Sequence, residues 1–362
     1  MKRVGLFITN LAGGGAERVV LNLANMFKQN HIEVHIVLLE DIIEYDISGL
    51  NIHILDNIDR KNFLLKSQYR MFLAKLLDKK IKFIESNYGK FDLIISHLPA
   101  TDKIVKLANI QSNIYFMIHT IYSLEIQEFY KKGEFFRALR RKYFYKELYK
   151  NKKLICVSSG ICDDIHKFGI NATSCCIIYN PFDIKNIKQK AQESVYDIPN
   201  EEYIVHVGAY RTEKRHDILL QAYSYLKNPP KLKLFCHYDK KLDNLIKSYN
   251  LQDRVEIFGF KKNPYPYIKK AKLLVLSSER EGLPSVLIEA LALKVPIVST
   301  NCISGPSEIL VDELSSYLAE VNNANDLSDK ISKALESYPA IDDKFIDKFD
   351  QDKVYKSYIK IL

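Results

Sequence analysis

The 362-residue sequence lacks several features that define common protein classes. It contains no uninterrupted run of about 18 apolar residues, which a membrane-spanning helix would require. Its first residues, MKRVGLFITNLAGG, have no long apolar core followed by a small-residue cleavage site, so they predict a first strand rather than a signal peptide. Low-complexity tracts and short repeats are also missing from the sequence. We therefore expect a globular protein of the cytosol.

Cysteines are few, and none of the six stands in the C-x-x-C spacing typical of zinc sites. Cys162 and Cys302 stand apart from the apolar segments. The other four lie in or beside apolar, strand-like segments: Cys156, Cys175, Cys176 and Cys236. This distribution is typical of small buried thiols in a reducing compartment, and it predicts no metal site.

Positive charge is concentrated in one segment of the chain. The formal net charge is +9, and residues 131–153 contribute +8 of it through ten Lys or Arg against two Glu. A basic segment that also bears aromatic residues suits an anionic lipid surface or an acidic ligand. A solvated helix face is an equally good alternative. The segment carries no recognisable nucleic-acid motif, so we expect no nucleic-acid partner.

Short β-rich segments alternate with amphipathic helical segments, as where RVGLFIT is followed by ERVVLNLANMFKQN. This alternation predicts an α/β fold of parallel sheets covered by helices on both faces. The alternation of strand-like and helical segments stops over the polar residues 180–202 and resumes after them, which indicates a linker. We expect Rossmann-like domains over 1–180 and 203–340 facing a cleft, with a linker over 181–202. We also expect a C-terminal helix over 341–362 that packs back on the N-terminal domain.

A glycine turn, LAGGGAERVV, follows the first strand and opens a helix. Backbone amides and the helix dipole can meet an anion at such a place. Glu40 and Asp41 end the second strand, where a dinucleotide-binding enzyme has its ribose-binding acid. However, Arg18 stands where the G-x-G-x-x-G fingerprint has its third glycine. A close backbone approach to a ligand and a plain tight turn both remain open.

The segment HVGAYRTEKRHDILLQAY places cations before a helix in the second half of the chain. Arg211, Lys214 and Arg215 would oppose the dipole of that helix, so their presence asks for a reason. A bound diphosphate would supply one, because Arg and Lys form charge-assisted hydrogen bonds to phosphate oxygens. Solvation at the surface is the alternative.

The segment EGLPSVLIEALA places Glu281 in a loop and Glu289 in an apolar helix whose first turn Pro284 suits. A carboxylate buried without a partner in such a helix would cost several kcal/mol, so Glu289 either has a partner or faces solvent. Free amides of the first helical turn, about Leu283 to Val286, can receive a phosphate.

Together these features resemble the retaining glycosyltransferases of family 4, which have the GT-B fold. The segment EGLPSVLIEALA looks like the family's E-x7-E motif, with Glu281 and Glu289 at its acidic positions. Weaker support comes from GGGAE, YNPFD, FGF at 258–260 and SGPSEIL at 304–310, in the same order along essentially the whole chain. One departure is Ala209, which stands where the family usually has arginine; Arg211 is our candidate replacement.

The resemblance implies transfer of a hexose or N-acetylhexosamine from a UDP-sugar to a saccharide acceptor, with retention and without metal or cofactor. The first domain would hold the acceptor and the second the nucleotide sugar. The variant of the motifs is similar to transferases that build bacterial lipopolysaccharide, capsule or O-antigen on lipid-linked acceptors. Such an enzyme would be cytoplasmic, with peripheral attachment to the inner membrane face through residues 131–153.

The resemblance also implies roles for individual residues. His119 and Glu281 are the candidate catalytic residues, and Glu289 would hold the ribose of the nucleotide. The candidate donor-binding residues are Gly14, Gly15, Arg211, Lys214, Phe260, Gly282, Leu283, Pro284, Ser285 and Glu289. For His119 the alternative is a structural, hydrogen-bonded histidine at the end of an apolar strand.

Three other function classes remain open at this stage. A UDP-sugar epimerase on the same GT-B scaffold would need no acceptor. A dehydrogenase is disfavoured by the broken glycine fingerprint, and a non-catalytic sugar-binding protein by the retained acids and cations. We expect the two Asp-Asp pairs of the sequence, at 163–164 and 342–343, to be exposed to solvent.

Overall fold

The computed structural model describes residues 1–55 and 66–362. These residues form two compact units, one of Met1–Phe182 with Gln351–Leu362 and one of Asp183–Asp350. Among the described residues, no helix is both long and apolar enough to cross a membrane.

The first unit is built on a parallel sheet of seven strands among the described residues. Its strands are β1 (Arg3–Ile8), β2 (Glu33–Leu38), β3 (Asn51–Ile54), β4 (Leu93–His97), β5 (Ile114–Ile118), β6 (Lys153–Cys156) and β7 (Ser174–Ile177). Their spatial order is β3-β2-β1-β4-β5-β6-β7. Strand β1 is buried along its whole length, because helices cover both faces of the sheet centre.

Six helices of the first unit connect these strands. They are α1 (Gly15–Gln29), α2 (Lys66–Tyr88), α3 (Pro99–Leu107), α4 (Tyr122–Lys131), α5 (Phe135–Tyr149) and α6 (Ser159–Phe168). Helix α1 buries Val19, Val20, Leu23 and Phe27, the face that the sequence periodicity predicts.

The second unit is built on a six-stranded parallel sheet. Its strands are β8 (Tyr203–Val207), β9 (Lys231–Phe235), β10 (Val255–Ile257), β11 (Leu273–Leu276), β12 (Ile297–Thr300) and β13 (Leu318–Ala319). Their spatial order is β10-β9-β8-β11-β12-β13. The two-residue strand β13 has no counterpart among the predicted strands, because two residues are too short to show any periodicity.

Seven helices belong to the second unit: α7 (Ile184–Lys190), α8 (His216–Ser224), α9 (Lys240–Ser248), α10 (Tyr265–Lys270), α11 (Ser285–Ala292), α12 (Pro306–Ile309) and α13 (Ala324–Glu336). Both sheets change direction of strand addition once, between β1 and β4 and between β8 and β11. Each unit is therefore doubly wound, as the sequence predicts, and each has one topological switch point, where such folds bind ligands.

The segment predicted as a linker, 181–202, contains helix α7, which belongs to the second unit. The predicted C-terminal helix also begins later than expected. Two short 3-10 turns, Asp343–Phe345 and Asp347–Phe349, precede the last helix, α14 (Gln351–Ile359). Both turns bury a phenylalanine, so packing rather than helical periodicity determines this segment.

Helix α14 packs against the first unit, which confirms the predicted return of the chain to the N-terminal domain. The ring of Tyr358 meets that of Phe27 on α1 edge to face, with centroids 5.3 Å apart. Asn113 Nδ2 donates a hydrogen bond to the Ile361 carbonyl at 2.9 Å.

Candidate functional site

Three loops follow the carboxyl ends of β8, β11 and β12 at the switch point of the second unit. The loop after β8 leads through a 3-10 turn, Thr212–Lys214, into helix α8. The loop after β11 leads into α11, and the loop after β12 leads into α12. Because the strands are parallel and adjacent, their loops emerge at the same edge of the sheet.

Lys214 and Glu281 meet at this edge although they are 67 positions apart in the chain. Lys214 Nζ donates to Glu281 Oε1 at 2.6 Å, and Ser278 Oγ donates to the same oxygen at 2.6 Å. Both charged side chains are largely but not fully buried. The loop therefore holds an ammonium and a carboxylate in fixed positions that a ligand can still reach.

Neighbouring hydroxyls fix the backbone of these loops. Thr300 Oγ1 donates to the Ser278 carbonyl at 2.6 Å, and Ser304 Oγ donates to the Gly282 carbonyl at 2.7 Å. Gly305 has a φ of +93°, and a Cβ there would lie 2.4 Å from Pro284 Cδ. A glycine is consequently required where the β12 loop crosses the β11 loop. The predicted donor-binding loop 281–284 is thus pinned from two sides.

Helix α11 begins at Ser285, so Pro284 is its N-cap residue rather than its first helical residue. Proline fits this position as well, because it needs no amide hydrogen there. Pro284 makes no side-chain capping hydrogen bond to this N-terminus. Its first-turn amides therefore keep their capacity to bind an anion.

Glu289 is 3% exposed, in the middle of a helix whose residues from Val286 to Ala292 are all buried. The solvent-facing alternative for Glu289 is therefore wrong. Tyr265 Oη, on α10, lies 3.4 Å from Glu289 Oε1, which is a long hydrogen bond. The site thus contains a second carboxylate, on the helix that follows Glu281 and removed from bulk water.

The other cations near β8 have different surroundings. Arg215 adopts a left-handed conformation, with a φ of 49°, and its Nη2 donates to Asp217 Oδ2 at 2.8 Å. This contact raises the pKa of Arg215, chiefly through the hydrogen bond to Asp217. Arg211 is exposed at the start of the 3-10 turn. Lys214 is therefore the cation that the fold joins to Glu281, whereas Arg215 pairs with Asp217 on its own helix and lies 3.5 Å from Glu279 in the loop after β11.

Phe260 lies in the loop after β10, outside the Lys214–Glu281 cluster. Its side chain is exposed and stacks on His237, with ring centroids 5.1 Å apart and an interplanar angle of 11°. Gly259, with a φ of +84°, turns the chain so that Phe258 and Phe260 make separate contacts. Phe258 stacks instead on the buried ring of Phe235. An exposed flat pair of rings is a surface on which an aromatic base can stack.

In the first unit, His119 follows β5 and contacts His97 at the end of β4. The His97 Nδ1 and His119 Nε2 atoms are 3.0 Å apart, and the two rings stack with centroids 5.3 Å apart. Burial lowers the pKa of His119 to about 4 and that of His97 below its usual range. Both imidazoles are therefore neutral near pH 7. The sequence analysis did not identify His97, because only the pairing of β4 with β5 brings it to His119.

The glycine turn of the first unit lies at its own switch point, after β1. Gly13 has a φ of +84°, Gly14 precedes helix α1, and Tyr45 Oη donates to the Gly14 carbonyl at 3.0 Å. A Cβ on Gly15 would meet no atom within 4 Å. The Gly15 position thus opens onto free space, which leaves room for a ligand to approach the backbone.

Of the four aspartates expected to be exposed, Asp164 is buried, so that expectation is wrong for it. Its Oδ2 accepts hydrogen bonds from the amides of Tyr122 and Ser123 at the start of α4, at 2.9 and 3.2 Å. Asp164 therefore has a structural role that joins α6 to α4.

The basic segment forms most of helix α5. One face of this helix exposes Phe136 (91%), Leu139 (56%) and Tyr143 (68%) together with Arg140. These residues recur at i, i+3, i+4 and i+7, so they form one continuous stripe. Arg141, in contrast, is half-buried, and its Nε donates to Glu125 Oε1 at 2.9 Å.

Both halves of the sequence match known families. Residues 13–186 match the family described as Glycosyltransferase Family 4, and residues 188–349 match the family described as Glycosyl transferases group 1.

Two curated relatives come from Campylobacter jejuni. The chain is 32% identical over 341 residues to the N-acetylgalactosamine-N,N'-diacetylbacillosaminyl-diphospho-undecaprenol 4-alpha-N-acetylgalactosaminyltransferase, covering 93% of this chain and 91% of the relative. A second relative is named as an alpha-1,4-N-acetyl-D-galactosaminyltransferase of an undecaprenol-linked GalNAc acceptor. It is 26% identical over 353 residues, with 92% of this chain and 89% of the relative covered.

Solved structures show the same fold. A glycosyltransferase from Rickettsia africae superposes with a TM-score of 0.77 at 19% identity, covering 99% of this chain and 97% of the other. The Anabaena HepE protein in complex with UDP and glucose superposes with a TM-score of 0.77 at 17% identity, covering 99% of both chains. At these identities the likeness concerns the fold alone, and it confirms the predicted GT-B class. The family matches and the full-length relative at 32% identity go further: this chain belongs to glycosyltransferase family 4.

Proposed function

We propose that this glycosyltransferase moves a hexose or N-acetylhexosamine from a UDP-sugar to a lipid-linked saccharide acceptor in bacterial surface glycan biosynthesis. We further propose that transfer retains the anomeric configuration and needs no metal ion. The observation that carries the proposal is the meeting of Lys214 and Glu281 at the switch point, directly before helix α11 and its buried Glu289.

Sugar transfer builds negative charge on the departing diphosphate, which the protein must stabilise. The Lys214 ammonium and the first-turn amides of α11 offer positive electrostatic potential at adjacent positions. Lys214 is held by Glu281 in the ligand-free protein, so a diphosphate would compete for the same ammonium. Arg211 is exposed close by in sequence, and we propose that it supplements this charge.

The two carboxylates have separate roles in this proposal. Glu281, in a loop with an accessible edge, accepts hydrogen bonds from sugar hydroxyls. Glu289, buried behind it on α11, accepts hydrogen bonds from the ribose hydroxyls. The exposed Phe260–His237 pair offers a stacking surface to the uracil. Gly282, Leu283, Pro284 and Ser285 supply the backbone that approaches the donor.

His119 cannot act as a cation near neutral pH, because burial lowers its pKa to about 4. We therefore propose that it hydrogen-bonds to a sugar hydroxyl as a neutral imidazole, with His97 orienting the ring. We also propose that the donor approaches the backbone closely at Gly14 and Gly15.

The choice of acceptor rests on the relatives. Two of them, at 32% and 26% identity over most of the chain, are named for undecaprenol-linked acceptors and for transfer of N-acetylgalactosamine. A lipopolysaccharide 1,6-galactosyltransferase of Escherichia coli also matches, at 27% identity over 227 residues. An undecaprenol-linked acceptor resides in a membrane, so the enzyme must reach a lipid surface.

The exposed stripe on α5 fits that requirement. Phe136, Leu139 and Tyr143 provide apolar and aromatic surface, and Arg140 adds positive charge on the same face. Helices of this composition lie in the interface of anionic membranes. We propose that α5 attaches the protein to the cytoplasmic face of such a membrane.

The deciding experiment incubates the purified protein with UDP-GalNAc, UDP-GlcNAc, UDP-galactose or UDP-glucose, with and without an undecaprenyl-diphosphate-linked saccharide. We expect UDP release and an extended lipid-linked product that depend on the acceptor and persist in a metal chelator. Nuclear magnetic resonance of the product gives the anomeric configuration. Conversion of UDP-GlcNAc without acceptor would favour the epimerase instead, and inertness towards all four donors and the acceptor would contradict the proposal.

A further inference from the structure

Three cysteines that form no metal-binding sequence motif converge in the first unit. Cys156 ends strand β6, Cys162 lies on the helix α6 that follows, and Cys175 lies on β7. Their sulfur atoms all lie within 4.8 Å of one another. The Cys175 sulfur is 3.2 Å from that of Cys156 and 2.9 Å from that of Cys162. None of the three forms a disulfide.

The backbone explains why the three thiols share one side of the sheet. Cys175 pairs with Leu154 in the parallel register of β6 and β7, so these two side chains point to the same face of the sheet. Cys156 lies two residues after Leu154 on β6 and therefore shares that face. Helix α6 packs against β6 and β7 and places Cys162 over the two strands. Neighbouring Cys176 has its side chain on the opposite face and donates to the Leu154 carbonyl at 3.3 Å.

The spacing suits a thiophilic metal ion. Tetrahedral zinc with Zn–S bonds of about 2.3 Å needs sulfur atoms about 3.8 Å apart. The two closest separations, 2.9 and 3.2 Å, are shorter than this value, so outward movements of the sulfur atoms by about 1 Å would admit the ion. Cys156 and Cys162 are buried, while Cys175 is partly exposed at the edge strand, which provides an entry path.

We propose that Cys156, Cys162 and Cys175 bind one thiophilic divalent metal ion of the zinc class, with water in the fourth coordination position. Binding converts the thiols to thiolates and releases their protons to solvent. The ion would join β6, β7 and α6, and thereby fasten the edge strand β7 to the sheet. The sequence analysis predicts no metal site, because the three cysteines come from two strands and a helix and have no C-x-x-C spacing.

Titration of the full-length reduced protein with Co²⁺ tests the proposal. We expect one equivalent to produce thiolate-to-cobalt charge-transfer absorption, which one equivalent of Zn²⁺ abolishes. Zn²⁺ should also protect three of the six thiols from an aromatic disulfide reagent and raise the melting temperature. Cys175→Ser should weaken Zn²⁺ binding by at least about 100-fold, because a thiolate ligand is lost.

Cys176→Ser is the matched control, since it changes the neighbouring residue of the same strand and should retain full Co²⁺ absorption. If Cys175→Ser fails to fold, thiol protection in the unsubstituted protein still decides the question. Absence of Co²⁺ absorption together with unprotected thiols would overturn the proposal. So would undiminished metal binding by folded Cys175→Ser. Oxidation of the apoprotein to a disulfide without any metal binding would assign the cluster to redox chemistry instead.

Discussion

Replacing Glu289 by alanine tests whether its carboxylate binds the donor or stabilises the fold. Glu289 is buried on α11, and its Oε1 receives a long hydrogen bond from Tyr265. Burying a carboxylate costs free energy that its contacts must offset. If the ribose hydroxyls of the donor provide the strongest contacts to Glu289, donor binding offsets part of the free energy that burial of this carboxylate costs.

The magnitude follows from two hydrogen bonds to one charged group. Each contributes about 1.5 kcal/mol at the lower end of the range for charged partners. Their loss should therefore weaken donor binding by about 3 kcal/mol, or about 150-fold. The same substitution removes a buried charge, so we expect the free energy of unfolding of Glu289→Ala to be unchanged or higher.

The assay combines donor KM, UDP affinity by isothermal titration calorimetry and thermal melting. Tyr265→Phe is the matched control, because it removes a hydroxyl that donates to Glu289 and leaves the carboxylate in place. It should leave the donor KM within about threefold of the unsubstituted protein. An unchanged donor KM in folded Glu289→Ala would refute the ribose role. A large loss of stability in the same variant would assign Glu289 to the architecture of α11.

Four further predictions concern other parts of the molecule. Lys214→Met should lower kcat/KM about 100-fold, and Lys214→Arg should restore part of it; equal activity of both variants would contradict a role of the charge. Gly15→Ala meets no protein atom, so we expect unchanged melting but weaker UDP-sugar binding by calorimetry; unaltered affinity would remove Gly15 from the site. Burial raises the pKa of Asp102 to about 7, above the pKa of the same carboxyl in the unfolded chain. The protonated carboxyl therefore stabilises the folded protein at acid pH, and this stabilisation is lost as the pH rises towards 7. Between pH 5 and 8, the free energy of unfolding measured in urea should therefore fall by about 3 kcal/mol more for the natural protein than for Asp102→Asn. Parallel pH profiles of the two proteins would refute this reasoning. Phe136→Ser should reduce cosedimentation with anionic liposomes severalfold, whereas Tyr196→Ser, an equally exposed aromatic of the second unit, should not; identical cosedimentation would exclude α5.

The membrane test differs from the one that the sequence suggested. Neutralising Arg140, Arg141 and Lys142 is the obvious choice from the run of charges. In the structure, Arg141 pairs with Glu125 and its guanidinium lies over the Tyr145 ring. Its removal would disturb the packing of α5 against α4 as well as the surface charge. Phe136 avoids this ambiguity because it is almost fully exposed.

The sequence by itself determined the class of fold. Apolar segments of four to six residues alternate with amphipathic helices, and this local periodicity predicts parallel, doubly wound sheets. Motif residues that are close in sequence, from Glu281 to Glu289, were likewise identifiable without coordinates. Local spacing was sufficient in both cases, because strands and helices impose fixed periods on the chain.

Only the tertiary structure decided which distant residues meet. Lys214 contacts Glu281 because β8 and β11 are neighbours at a switch point, and His97 contacts His119 because β4 pairs with β5. The burial of Glu289 follows from the packing of α11, which composition alone could not distinguish from exposure.

The cysteine cluster is the clearest case in which the sequence did not show which residues meet. Cys156, Cys162 and Cys175 have no motif spacing, yet the register of β6 with β7 and the crossover through α6 place their sulfurs together. Sequence periodicity determines which face of an element a side chain occupies. Strand order and register determine what that face meets, and these depend on long-range packing of the whole unit.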